Sequence, residues 1–132
     1  MTMMNGQLNG ERRAQPRICI VDDDEAVGQA LRLLVRSFGW QAESFPSALA
    51  FLAALQAPPD CLLLDLNMPE MNGAELLESL AARGVPIRTI MITAQKESPL
   101  LVRAEAAGAR AQLTKPFDDE ALKTCIESVL AA

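Results

Sequence analysis

Five short apolar runs recur along the chain, and each is followed by a longer segment whose apolar residues have helical spacing. They lie at residues 18–21, 41–45, 61–64, 87–92 and 111–114. The runs begin about 20 to 26 residues apart, which is the length that a βα unit with its crossover needs. The central runs are almost continuously apolar, as expected where helices cover both faces of a parallel sheet. The sequence therefore predicts a single α/β domain, an open doubly wound sheet of five βα units.

Capping and breaking residues mark the helix boundaries. Gly39 ends the first helix, Ser98 and Pro99 supply the N-cap and first position of the fourth, and Asp118 caps the last. The run at residues 41–45 is more polar than the others, which favours a position at the sheet edge. The predicted helices cover residues 26–38, 47–56, 74–83, 99–108 and 119–132.

The charge balance excludes several classes of function. The chain has 17 acidic and 12 basic residues, a net charge of −5 and no histidine. An acidic domain repels the negatively charged phosphates of nucleic acids, so direct nucleic acid binding by this chain is disfavoured. The absence of histidine excludes His-based acid–base catalysis, phosphohistidine chemistry and His-ligated metal sites within the chain. Its chemistry must therefore depend on carboxylates, hydroxyls, lysine or thiols.

Cysteine usage and the N-terminus indicate a cytoplasmic protein. Cys19, Cys61 and Cys125 are odd in number and far apart, which is typical of reduced structural thiols. Residues 1–16 contain no apolar h-region and are predicted to be a flexible leader, with the domain at residues 17–132. No apolar stretch reaches the roughly 18 residues needed to span a bilayer, so no membrane association is expected.

Polar side chains stand at the carboxyl ends of four of the predicted strands. They are Asp22 and Asp23 after the first, Asp65 after the third, Thr93 after the fourth and Lys115 after the fifth. Ligands of open parallel sheets bind outside the carboxyl ends of the strands, so these side chains are expected to share one crevice. Each has an ordinary interpretation when taken alone, such as a helix cap, an Asx-turn or a surface lysine. The set of five favours a binding site.

Three carboxylates in one crevice repel one another unless a cation or protons neutralise them. Mg²⁺ is the economical cation, because it accepts one or two carboxylates and keeps positions open for water and phosphate oxygens. Lys115 adds a positive charge and Thr93 a hydroxyl, and a carboxylate can itself act as the nucleophile. The residues therefore predict a Mg²⁺ site that receives a phosphoryl group.

Four motifs in order resemble the receiver domain of two-component response regulators. They are Val21 to Glu25 (VDDDE), Leu63 to Gly73 (LLDLNMPEMNG), the step from Ile92 to Ala94 (ITA), and Lys115 to Phe117 (KPF). The resemblance covers residues 17–132. It implies the CheY-like, flavodoxin-like fold with strand order 2-1-3-4-5, which the spacing of the runs does not determine.

The resemblance also implies a role for each site residue. Asp65 would be the phosphoacceptor, and Asp22, Asp23, Asp65 and the backbone carbonyl of Asn67 would hold Mg²⁺. The phosphoryl group would come from a sensor histidine kinase or phosphotransfer protein, or from a small acyl phosphate. The remaining implied features are the switch hydroxyl of Thr93, the small neighbour Ala94, the phosphate-binding Lys115 and a cis peptide before Pro116.

One position departs from the family pattern. Three residues before Lys115 the family commonly carries Tyr or Phe, and this chain has Gln112. The resemblance assigns output to the face formed by the fourth helix, fifth strand and last helix, which is also a candidate homodimer contact. The first two motifs are most like those of receivers that precede a helix-turn-helix output domain.

Three alternatives stay open on the sequence. The Gln112 departure leaves open a receiver-like interaction module that works without phosphorylation. A Mg²⁺-dependent phosphatase with an aspartyl nucleophile usually carries a second acid two residues after that nucleophile, where this chain has Asn67. A flavodoxin-like nucleotide binder needs a Gly/Ser/Thr-rich phosphate loop after the first strand, and the acids there would repel phosphate.

Overall fold

The computed structural model describes residues 15–132, and within them five strands alternate with five helices. Residues 1–14 of the predicted leader lie outside the described residues, whereas the carbonyl of Pro16 already accepts a hydrogen bond from the amide of Gln41, 3.0 Å away. The strands are β1 (Arg17–Val21), β2 (Gln41–Phe45), β3 (Cys61–Asp65), β4 (Thr89–Thr93) and β5 (Ala111–Thr114), and the helices are α1 (Glu25–Ser37), α2 (Ala48–Ala54), α3 (Gly73–Ala82), α4 (Pro99–Ala106) and α5 (Asp119–Ala131).

All four strand pairings are parallel, and the order across the sheet is β2-β1-β3-β4-β5. The polar second strand lies at an edge, as its sequence predicted, and the half-exposed β5 forms the other edge. The central strands β3 and β4 are buried along their whole length. The predicted fold class and strand order are therefore confirmed.

Two apolar layers sandwich the sheet. Leu31 and Val35 of α1 and Ile126 of α5 pack with alternate residues of β1, β3 and β4 on one face. On the other face, α2, α3 and α4 pack against the intervening strand residues, with Phe51 and Leu80 buried at the centre of the layer. Since the period-2 alternation of a strand sends neighbouring residues to opposite faces, nearly continuous apolar runs satisfy both layers.

The helix caps and element ends follow local chemistry. Asp24 caps α1, its Oδ1 accepting from the amides of Ala26 and Val27, and Ser98 caps α4 through the amide of Leu101. The fourth strand begins at Thr89 rather than at residue 87 as predicted, because Ile87 is buried by apolar packing before the ladder starts. The helices predicted to end at residues 56 and 108 instead end at Ala54 and Ala106.

Within the described part of the chain, no helix is both long and apolar enough to cross a membrane.

Candidate functional site

Three carboxylates meet at the carboxyl edge of the sheet. Asp65 is the last residue of β3, and Asp22 and Asp23 directly follow β1, which pairs with β3. One carboxylate oxygen from each residue lies within 4.8 Å of the others. Asp22 is 3% exposed and Asp65 is 8% exposed, whereas Asp23 is open to solvent. The acidic cluster predicted from the strand ends is therefore present, and it is largely buried.

The carboxylate of Asp22 is only half satisfied. Its Oδ1 accepts a hydrogen bond from the backbone amide of Asp24, 2.9 Å away, while its Oδ2 is buried without a hydrogen-bond partner among the described residues. Burial removes the hydration of a carboxylate oxygen, and without a donor no hydrogen bond compensates for that loss. Burial raises the pKa of Asp22 above its ordinary value, and the amide of Asp24 and the charge of Lys115 oppose the shift.

Asp65 is perturbed in the same direction. Burial raises its pKa from 3.8 to about 6, the negative charge of Asp22 adds to the shift, and the positive charge of Lys115 opposes it. Two carboxyl groups with raised pKa values in one crevice hold protons more tightly than isolated acids do. The protein thus maintains an acidic cluster that is unfavourable by itself and that a bound cation would stabilise.

The residues fit a hard divalent cation. Carboxylate oxygens from three side chains converge, and one of them, Oδ2 of Asp22, has no competing donor within the described structure. Mg²⁺ prefers such oxygen ligands and is usually held by few protein groups. Asn67, the predicted source of a carbonyl ligand, lies exposed at the start of the loop that leaves Asp65. The predicted donor set is consistent with Mg²⁺.

The β4 and β5 ends bring a hydroxyl and a lysine to the same edge. Thr93 is 1% exposed, and its Oγ1 accepts a hydrogen bond from the backbone amide of Gln95 at 3.0 Å. The backbone amide of Lys115 donates to the carbonyl of Thr93 at 2.8 Å, which joins the two strand ends. The Lys115–Pro116 peptide bond is cis, as the resemblance implied.

The last two predicted residues belong to the loop after β4 and to β5. Ala94 is exposed at the start of the loop between β4 and α4. The side chain of Gln112, on β5, donates through Nε2 to the carbonyl of Lys96 in that loop, at 3.2 Å. Gln112 thus contacts the loop that follows Thr93 rather than any of the three carboxylates.

Gly73 is a site residue that sequence reasoning did not single out. A Cβ on Gly73 would lie 2.8 Å from the carbonyl oxygen of Asp65 and 2.8 Å from Cε of Met91. The amide of Gly73 also donates to the carbonyl of Leu66, so α3 begins directly against the end of β3. Only glycine permits this approach without moving Asp65. The sequence contains Gly73 at the end of its second motif, but the backbone contact is visible only in three dimensions.

Comparison with known proteins gives a consistent result. A family model described as the response regulator receiver domain matches residues 18–127. The response regulator protein TmoT of Ectopseudomonas mendocina is 45% identical over 114 residues, which cover 86% of this chain and 52% of TmoT. The transcriptional regulatory protein FixJ of Azorhizobium caulinodans is 38% identical over 112 residues, covering 84% and 53%. The chain spans about half the length of the curated relatives it matches.

Solved structures agree with the sequence relatives. The response regulator receiver protein from Burkholderia phymatum superimposes with a TM-score of 0.76 at 41% identity, covering 89% of this chain and 96% of that one. The response regulator StyR gives a TM-score of 0.80 at 42% identity, covering 89% and 60%. With the fold, the strand order and the acidic cluster already established, these matches show that the chain belongs to the response regulator receiver domain family of two-component systems.

Proposed function

We propose that the chain is a phosphoacceptor whose Asp65 receives a phosphoryl group from a sensor histidine kinase or phosphotransfer protein. The observation that carries the proposal is a pair of buried carboxylates, Asp65 and Asp22, in which Oδ2 of Asp22 has no donor among the described residues. A buried, uncompensated acidic pair suits a site that is completed by a cation and a phosphoryl group.

Asp65 would act as the nucleophile. A carboxylate oxygen of Asp65 attacks phosphorus, the bond from phosphorus to the donor nitrogen of a phosphohistidine breaks, and the histidine retains the electron pair of that bond. When bound, Mg²⁺ supplies charge neutralisation for the carboxylates and for the phosphoryl oxygens. Asp22, Asp23 and the carbonyl of Asn67 would hold the ion with Asp65. Because the pKa of Asp65 is raised to about 6, a cation also favours its nucleophilic, deprotonated form near neutral pH.

Thr93 and Lys115 would respond to the phosphoryl group. The Thr93 side chain would turn so that its hydroxyl donates to a phosphoryl oxygen, and this rotation would carry Oγ1 away from the amide of Gln95, from which it now accepts a hydrogen bond. The Lys115 ammonium would bind another oxygen, and the small side chain of Ala94 leaves room beside it. Phosphorylation then favours a second conformation by forming contacts that the resting protein lacks.

The output would run through the face formed by α4, β5 and α5, which could also pair two copies of the chain. A groove of about 530 Å³ lies between β5 and α5, with Ala111, Ala121 and Cys125 in its wall. Val102 on α4 is 65% exposed. An apolar groove on a half-exposed edge strand suits a partner surface. FixJ is named a transcriptional regulatory protein, and we propose that this chain likewise controls an output partner in the cytoplasm without binding nucleic acid itself.

Phosphorylation by a small acyl phosphate in the presence of Mg²⁺ tests the proposal. The expected result is stoichiometric labelling of the wild type, no labelling of Asp65→Asn and no labelling when Mg²⁺ is chelated. Asp24→Asn is the matched control, since it makes the same chemical change beside the cluster and asparagine still caps α1. Circular dichroism and urea unfolding establish that each variant is folded.

Two results would contradict the proposal. Equal labelling of Asp65→Asn and the wild type would mean that another group accepts the phosphoryl. No labelling of a folded wild type by any acyl phosphate or kinase would favour the phosphorylation-independent module, for which Gln112 in the aromatic position is the supporting observation.

A further inference from the structure

The side-chain amide of Gln112 lies between two acceptors. Its Nε2 is 3.2 Å from the carbonyl oxygen of Lys96, in the loop between β4 and α4, and 3.4 Å from Oγ1 of Thr114 on its own strand. Gln112 and Thr114 are two residues apart on β5, so their side chains share one face of the strand. Because the amide carries two protons, it donates to both acceptors at once.

The loop that Gln112 contacts has a second side-chain anchor, at Thr93. The amide of Gln95 donates to Oγ1 of Thr93 at 3.0 Å, and Lys96 is the next residue. The side chains of Ala94, Gln95, Lys96 and Glu97 are exposed, so this segment has little apolar packing of its own. Two hydrogen bonds, one to the Thr93 hydroxyl and one from the Gln112 amide, thus hold the loop against the ends of β4 and β5.

We propose that Gln112 is a positioning residue that holds the β4–α4 loop in the resting arrangement through the carbonyl of Lys96 and releases the loop when the site is occupied. The inference rests on the proposed function, in which the Thr93 hydroxyl turns to a phosphoryl group on Asp65. That movement releases the amide of Gln95, the loop shifts, and the carbonyl of Lys96 leaves Gln112. The amide of Gln112 keeps its hydrogen bond to Oγ1 of Thr114 in both arrangements.

A phenylalanine could not hold the loop in this way, because its ring has no N–H or O–H to donate to the carbonyl of Lys96. Glutamine has an amide with two donor protons on a side chain long enough to reach the loop. In this chain the coupling between site and loop would thus depend on the hydrogen bond from Gln112.

Titration with beryllofluoride, a phosphoryl mimic, in the presence of Mg²⁺ tests the inference. Gln112→Met keeps the length of the side chain and removes the donor, and Thr114→Val keeps the volume and removes the second acceptor. Gln56→Met is the matched control, since Gln56 is exposed beyond the end of α2. Backbone amide resonances of residues 94–97 report the loop, and the side-chain amide resonance of Gln112 reports its acceptor.

The two variants should differ in their effect on affinity. Gln112→Met removes the bond to Lys96 that only the resting state makes, and it should tighten beryllofluoride binding by about twofold to fivefold, the range that a net hydrogen bond of moderate strength supports. Thr114→Val removes a bond that both states make and should leave the affinity unchanged. In Gln112→Met the Thr114→Val change should have no further effect, because the donor is gone. Gln56→Met should match the wild type, whose Gln112 side-chain resonance should shift on binding.

Equal tightening in both variants, or a Gln112→Met affinity equal to the wild type, would overturn the inference. A general packing defect would change both affinities, whereas a loop contact made only in the resting state changes the affinity of Gln112→Met alone. Failure of the folded wild type to bind beryllofluoride at all would overturn the proposed function, and this inference with it. Binding by the wild type with no shift of the Gln112 side-chain resonance would overturn the inference alone.

Discussion

The two sides of the site differ in how firmly they are held. Asp22 and Asp65 stand at the ends of β1 and β3, which are flanked by strands on both sides and covered by helices on both faces. Gln112 and Lys115 belong to the half-exposed edge around β5, and Ala94 starts an exposed loop. Thr93 joins the two sides, since it is buried and lies directly before that loop.

The difference suggests a division of labour within one fold. The groups that we propose to hold a cation follow interior strands, where neighbouring side chains restrict their movement. Groups that must report occupancy are attached to a loop with two side-chain anchors, where a small change in hydrogen bonding can shift the population. The central side, with Asp22 and Asp65, should bind the cation, and the edge side, with Gln112, Lys115 and the β4–α4 loop, should respond to it.

Removing a central carboxylate should have the largest effect. Asp22→Asn keeps the Oδ1 acceptor for the amide of Asp24 but removes the charge from the unpartnered oxygen. Mg²⁺ affinity should fall by about tenfold or more, equivalent to about 1.4 kcal/mol. Calorimetric titration with Mg²⁺ measures the change, and Asp24→Asn serves as the control. An unchanged affinity would mean that Asp22 is not a ligand.

Adding a side chain at Gly73 should have the second-largest effect. Gly73→Ala places a methyl group against the backbone oxygen of Asp65 and should destabilise the fold by about 1–3 kcal/mol. Gly28→Ala in α1 is the matched control, because its nearest neighbour, Cβ of Ser44, is at an ordinary 3.7 Å. That control should be stabilised by about 0.5–1 kcal/mol. Urea unfolding measures both variants, and equal stabilities of Gly73→Ala and Gly28→Ala would refute the close contact at Gly73.

The pH dependence of stability should show the strain of the acidic cluster. The folded pKa of Asp65, about 6, exceeds its unfolded value, so the folded state binds more protons between about pH 4 and 6. Stability of the metal-free protein should therefore fall as pH rises through this window, by about 1–2 kcal/mol more than in Asp65→Asn. Unfolding in a chelator from pH 4 to 7.5 measures the difference. If stability fell more steeply with pH in Asp65→Asn than in the wild type, the pKa of Asp65 would be lowered by folding rather than raised.

The contact between α3 and α4 should have the smallest effect. Arg103 on α4 makes two hydrogen bonds to the Glu78 carboxylate on α3, at 3.0 and 2.6 Å, and both side chains are exposed. Water and salt screen such pairs. Glu78→Gln should leave the urea midpoint unchanged within error at physiological salt. A clear loss of stability would mean that this ion pair, rather than the apolar packing of Leu77 and Leu101, holds the helices together.

The sequence predicted the central side of the molecule well. Hydrophobic periodicity identified all five βα units, and the rule that ligands gather at strand ends brought Asp22, Asp65 and Thr93 to one edge. These features depend on local pattern, which the sequence records directly. The strand order was not contained in that pattern and came from the family resemblance.

Other features were less accessible to prediction, for physical reasons. The partner of Gln112 is a backbone carbonyl 16 residues away, and every residue has a carbonyl, so no side-chain pattern identifies it. The constraint at Gly73 is likewise a contact with main-chain oxygen. The early start predicted for β4 arose because buried residues outside a strand, such as Ile87, are as apolar as those within it.

The location of the phosphoryl group on the wild-type chain tests the account most directly. The protein is treated with a small acyl phosphate and Mg²⁺, and intact mass spectrometry followed by peptide mapping identifies the modified residue. The account predicts one phosphoryl group, carried by Asp65, at the end of β3. A phosphoryl group on any other residue, with Asp65 unmodified, would contradict it.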